Sequence, residues 1–312
     1  MNKRRPVLRK ANRIAGLRQA ALRCGLCTLV YLLARNLLSI AGNGVLQLWL
    51  GGPGVGAPLA LWELAQWVVT LFSGAAALLV PVWALRQTVR PAALLGQHPR
   101  RGVLRLMLPV WLAASQLGSL AAGAVAQRTG TGQQITLPET WPALIPAFLA
   151  LCVMPAVLEE LLFRGVLQVL LRPWGAWLAI VGQAVLFGVL HGSLSAVVYA
   201  VLSGLFFGWL AEQSGSLWPG MVLHGINNSL SFAALLLRSR GYPWLAQGVL
   251  VGCAVVFPLW GLAALLAAGL RRRRVLRPIE RGRSPAVLLR CPGWLLPVVG
   301  LLAVSLWQSP GG

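Results

Sequence analysis

The chain contains no aspartate, and its six glutamates stand against 27 lysines and arginines. Only 11% of its 312 residues are charged, where a soluble domain carries about a quarter. Long polar stretches are missing as well, so no segment reads as a soluble domain. Histidine is scarce, with three residues, and cysteine is limited to five. Cys24-Gly-Leu-Cys27 has a CxxC spacing but no second pair, so a cysteine zinc site is excluded and the spacing reads as chance. No serine or cysteine is placed as an activated nucleophile would be, which argues against covalent catalysis.

What is present is apolar sequence, 57% of the chain, arranged in long runs. These predict an all-α, polytopic membrane bundle of about eight transmembrane helices. The expected spans cover residues 24–41, 59–85, 104–126, 141–171, 175–192, 194–211, 217–237 and 245–270. A ninth apolar piece, 291–307, is short and interrupted by Pro292 and Pro297, so it spans or lies in the interface. Segment 42–58 is glycine-rich and reads as a loop or re-entrant piece. No signal-peptide cleavage site follows the basic N-terminus, so the first span reads as uncleaved. The resulting organisation is a basic N-terminal segment (1–23), N-terminal spans (24–140), a core (141–237), and a last span with a basic tail (238–312). No internal repeat is visible, which weighs against a transporter built from duplicated halves.

The formal net charge is +21, and its distribution explains it. With the N-terminus inside and spans alternating, 22 basic residues face the cytoplasm and three, Arg128, Arg238 and Arg240, face outward. Basic flanks of this kind set orientation and meet anionic headgroups, so nucleic acid is not the expected partner. His98 lies in the basic loop and reads as solvated. Trp141, Trp174, Trp218 and Trp244 fall at span ends, as interfacial aromatics do.

Against this background, the stretch PAVLEELLFRG (155–165) stands out. Ionisable groups within a span cost about 2.5–3.5 kcal/mol each on insertion scales, so they face a protein interior and usually serve function. Glu160 and Arg164, at i and i+4, can pair on one face. Glu159 is turned away from Glu160 by about 100°, which leaves it facing a cavity. His191 ends an apolar span, sharing a face with Phe187 and Gln183, and His224 has Asn228 one turn further on. Measured from the cytoplasmic span ends, Glu159 lies about 20 Å up, His191 about 25 Å, Asn228 about 17 Å and His224 about 10 Å. One intramembrane cluster reached from the cytoplasmic side is compatible with these depths.

In order on three spans, Glu159-Glu160-x-x-x-Arg164, Phe187-x-x-x-His191 and His224-x-x-x-Asn228 resemble the motifs of the CPBP intramembrane proteases. That family includes the type II CAAX prenyl endopeptidases and bacterial bacteriocin-processing or immunity relatives. The FRG at 163–165 and HGINNS at 224–229 also fit. The resemblance covers about residues 141–237 and does not extend to the N-terminal spans or the tail.

The resemblance implies hydrolysis of a peptide bond in a membrane-anchored protein or peptide. Glu159 would be the general base on a water shared with His191. His224 and Asn228 would stabilise the oxyanion, with Glu160, Arg164 and Phe187 in support. The family has been called metalloprotease, and two histidines with a glutamate could ligate zinc. The HExxH spacing of zinc proteases is absent, and an activated water needs no ion, so the expected reaction is metal-independent. Two other classes remain open: a non-catalytic membrane immunity or binding protein, and a proton-coupled transporter. The substrate, prenylated or not, stays open.

Overall fold

The computed structural model describes residues 4–52, 56–85, 101–130, 135–270, 278–279 and 282–307. Its helices are α1 (Arg4–Leu50), α2 (Leu59–Ala84), α3 (Arg101–Thr129), α4 (Trp141–Trp174), α5 (Ala176–Val189), α6 (Leu194–Ser214), α7 (Trp218–Ser239), α8 (Pro243–Leu270) and α9 (Pro292–Trp307). No β-strand occurs among the described residues. Seven of these helices are long and apolar enough to cross a membrane, and the chain is an integral multi-pass membrane protein. The fifth of the eight expected spans, 175–192, becomes the 14-residue α5, and α9 has 16 residues.

Two expectations are corrected at the N-terminus. Helix begins at Arg4 rather than near residue 24, and it continues to Leu50 through the first half of the glycine-rich segment 42–58. Gly42 and Gly44 are helical. A mid-helix glycine costs only about 1 kcal/mol, less than leaving backbone polar groups unpaired in lipid. The chain turns only at Gly51 and Gly52, with φ of +70° and +90°. His98 and most of the 86–105 basic loop lie outside the described residues, as do Arg271 to Arg274.

Helix α4 is the centre of the bundle. It packs against α2 and α7 along its first half and against α5 and α6 along its second. Around it, α9, α1 and α2 follow one another on one side, while α7, α8, α3 and α6 do so on the other. In lipid, helices associate through close packing rather than water exclusion, so small residues mark the contacts. A Cβ on Gly25 of α1 would run into the Gly293 carbonyl of α9. Cys24 and Cys27 are buried in this same apolar layer, and both are free thiols. On α6, a Cβ at Gly204 would lie 2.9 Å from Ala184 Cα of α5. Gly204→Val is therefore expected to cost about 1–3 kcal/mol by overpacking and to lower the melting temperature in detergent. Gly248→Ala on α8, where a Cβ meets nothing within 4 Å, should leave it unchanged.

The two ends of the bundle differ in chemistry. At one end Gly16 of α1 approaches Trp174, the Arg283 amide donates to the Trp174 carbonyl, and Arg172 pairs with Glu212 at 2.9 Å. At the other, Glu63 accepts from the Glu139 and Thr140 amides at 2.8 and 2.9 Å, closing the loop onto the start of α4. Arg240 there donates to the Glu139 carbonyl and stacks over Trp141. Gly16 and Arg283 thus lie at the same end of the bundle.

Candidate active site

The site is built on two irregular turns of α4. Residues Leu149–Val153 and Phe163–Leu167 are π-helical, and they bracket the α-helical turn carrying Glu159 and Glu160. Such widened turns recur at functional sites. The first has a cause in the sequence: Pro155 has no N–H to give the Leu151 carbonyl four residues back. Asn228 of α7 supplies the missing donor, its Nδ2 lying 3.3 Å from Leu151 O.

The Glu160–Arg164 pair is present at 2.8 Å, with Glu160 and Arg164 each 1% exposed. Arg164 lies 4.5 Å above the Phe187 ring and 5.4 Å from that of Phe207, so aromatic faces cover what the carboxylate does not. Glu160 Oε1 also sits 3.3 Å from His224 Nδ1, and the His224 ring stacks on Phe207. Glu160 thus ties α4 to α7. A Cβ at Gly220 would lie 2.8 Å from Glu160 Oε2, so the bare glycine backbone of α7 makes this approach possible. The polar stripe continues to the bundle end. Gln168 donates to Gly208 O and Glu212, and Arg172 donates to Glu212, which fastens α4 to α6.

His191 lies just beyond α5, in a turn that needs Gly192 at φ +78°, and Ser193 caps α6 by accepting from the Ala196 amide. His191 Nδ1 is 2.9 Å from the Phe187 carbonyl. A carbonyl only accepts, so Nδ1 carries the proton and, in the neutral ring, Nε2 carries the lone pair. Phe187 packs edge-on against His191 and against Phe163, giving it a scaffolding role.

Glu159, His191, His224 and Asn228 line one cavity of about 570 Å³. Phe163, Phe187 and Phe207 line it as well. Glu159 is half-buried and within electrostatic reach of His191, Arg164 and Tyr31. Sequence reasoning assigned no role to four further lining residues. Tyr31 and Arg35 reach the cavity from α1, and Arg35 is the cation on its wall. Tyr199 donates to Asn227 Oδ1 at 2.7 Å, and Asn227 Nδ2 donates to Asn228 Oδ1 at 3.5 Å. That relay fixes which end of the Asn228 amide is the donor. Asn227 was visible as the neighbour of Asn228 in HGINNS, whereas Tyr199 and Tyr31 gave no local signal.

Glu160 is engaged by Arg164 and His224, and among the described residues no three His, Cys, Asp or Glu side chains gather as a metal requires.

A multi-pass helical membrane protein with ionisable groups gathered around an intramembrane cavity is the class that fold and site define. Residues 141–230 match the family model described as type II CAAX prenyl endopeptidase Rce1-like. The match falls on the segment whose motifs carried the resemblance in the sequence. No curated protein and no solved structure matches the chain.

Proposed function

We propose that the chain is an intramembrane endopeptidase that hydrolyses a peptide bond of a membrane-associated protein or peptide with a glutamate-activated water. The observation that carries this reading is the convergence of Glu159, His191, His224 and Asn228, from three separate stretches, on one cavity. The family match at 141–230 supports it at the level of protease class.

Glu159 takes a proton from the water as the water oxygen bonds to the scissile carbonyl carbon. His191, whose Nε2 carries the lone pair in the neutral ring, holds the same water. The carbonyl oxygen becomes an oxyanion, stabilised by His224 and Asn228. His224 Nδ1 faces Glu160 Oε1 at 3.3 Å, which leaves Nε2 as the ring nitrogen that donates to the oxyanion. The C–N bond then breaks, and the proton held by Glu159 passes to the leaving nitrogen. Removing one oxyanion donor typically costs about 10²–10³ in rate, so Asn228→Ala should slow turnover by that factor. Its accumulation should be less affected, since the two hydrogen bonds lost, to Leu151 at 3.3 Å and from Asn227 at 3.5 Å, are long and part-buried.

The basic ends are assigned to the cytoplasm, with three basic residues outside against 22 inside. The test is comparative membrane proteomics of cells carrying the intact chain, no chain, or Glu159→Gln. A new peptide terminus found only with the intact chain identifies the substrate. The corresponding peptide then gives a cleavage assay for purified protein. Activity lost to a chelator and restored by zinc would overturn the metal-independent reaction.

A further inference from the structure

We infer that the cavity is entered from the extracytoplasmic end of the bundle, so the substrate presents an extracytoplasmic segment close to its membrane anchor. The inference rests on the reading of this cavity as the proteolytic site.

Helix α5 is short. Its 14 residues rise about 21 Å, short of the roughly 30 Å hydrocarbon core. Trp177 near its start and Trp209 of the returning α6 line one groove with Arg283, which fixes the level of the basic end. The turn containing His191 therefore lies within the membrane, and the space above it is left to the cavity. The lining on α7 runs from His224 through Asn228 and Ser231 to Leu235, away from the helix start at Trp218. It reaches Ile135, which is 41% exposed in the loop that Glu63 and Arg240 hold at the far end.

Towards the basic end the cavity is closed. Leu167 and Leu171 of α4, Leu210 of α6 and Leu223 of α7 are fully buried there, and Gln168 is 3% exposed. Depth along the helices made a cytoplasmic approach compatible with the sequence, but the packing leaves no passage among these side chains. The basic end is the cytoplasmic one by the charge asymmetry, so the open end faces outward.

Single cysteines test this without any cleavage assay. Ser231→Cys, Leu235→Cys and, as a basic-end control, Arg283→Cys are placed in a chain whose five native cysteines are alanine, and separately in the chain that retains them. The second background guards against misfolding of the first. Intact cells are treated with a charged, membrane-impermeant thiol reagent, before and after permeabilisation. Cysteines at 231 and 235 are expected to react in intact cells, and the cysteine at 283 only after permeabilisation. Reaction of 231 and 235 only after permeabilisation, reaction of neither under any condition, or reaction of 283 from outside would each overturn the inference. Adding Glu159→Gln should not change the labelling. Outside labelling together with no substrate in the proteomic comparison would refute proteolysis while leaving the direction of entry in place.

Discussion

Glu159→Gln is expected to lower peptide cleavage by about 10²–10⁴-fold, the contribution of a positioned general base, while the protein still accumulates and elutes as a single species. The amide keeps the shape of the carboxylate but cannot accept the water's proton. The fold should tolerate the change because Glu159 is half-buried, lines an open cavity, and forms no ion pair among the described residues. Glu160, one residue away, is the contrast. Its carboxylate is 1% exposed and joined to Arg164 and His224, so Glu160→Gln should disturb folding as well as rate. Initial rates on the identified peptide, measured beside size-exclusion profiles, separate the two. Full activity in Glu159→Gln would remove Glu159 from the chemistry.

The different placement of these two glutamates was legible in sequence because helix geometry is a local rule. Four residues separate Glu160 from Arg164, and 100° separates Glu159 from Glu160. The helical membrane class followed as directly from the length of the apolar runs. What the sequence hid depends on contacts between distant segments. The Tyr199–Asn227–Asn228 relay joins α6 to α7, and its end at Leu151 depends on the carbonyl that Pro155 leaves unpaired. Tyr31 and Arg35 enter from α1, outside the matched segment, and no spacing rule connects residue 31 with residue 159. The length of α1 was misjudged for a different reason: glycines at 42 and 44 are read as loop signals, yet in lipid a helix pairs every backbone N–H and C=O, which outweighs their small helical cost. The brevity of α5 was also hidden, since an apolar run does not show where Gly192 and Ser193 will turn the chain within the membrane.

Arg164→Ala is expected to have the largest effect on stability. The guanidinium is completely enclosed, 2.8 Å from Glu160 and covered by the faces of Phe187 and Phe207. Its loss leaves a buried carboxylate with only the 3.3 Å contact to His224, and breaking a buried pair in this way costs about 3–5 kcal/mol. That is a large part of a typical total of about 5–15 kcal/mol, so membrane accumulation and melting temperature should both fall sharply. Arg164→Lys keeps the charge but loses the planar stacking on Phe187, and it should recover only part of the loss. The decisive variant removes both charges. Replacing both members of a buried pair by apolar groups of similar volume is often nearly neutral, so Glu160→Met with Arg164→Met should regain accumulation. It should not regain turnover, because His224 then lacks the carboxylate that orients its ring. Fluorescence-detected size exclusion and thermal melts report the first quantity, and the cleavage assay the second. Recovery of both together would mean that the Glu160–Arg164 pair only holds helices in place and that His224 acts without it.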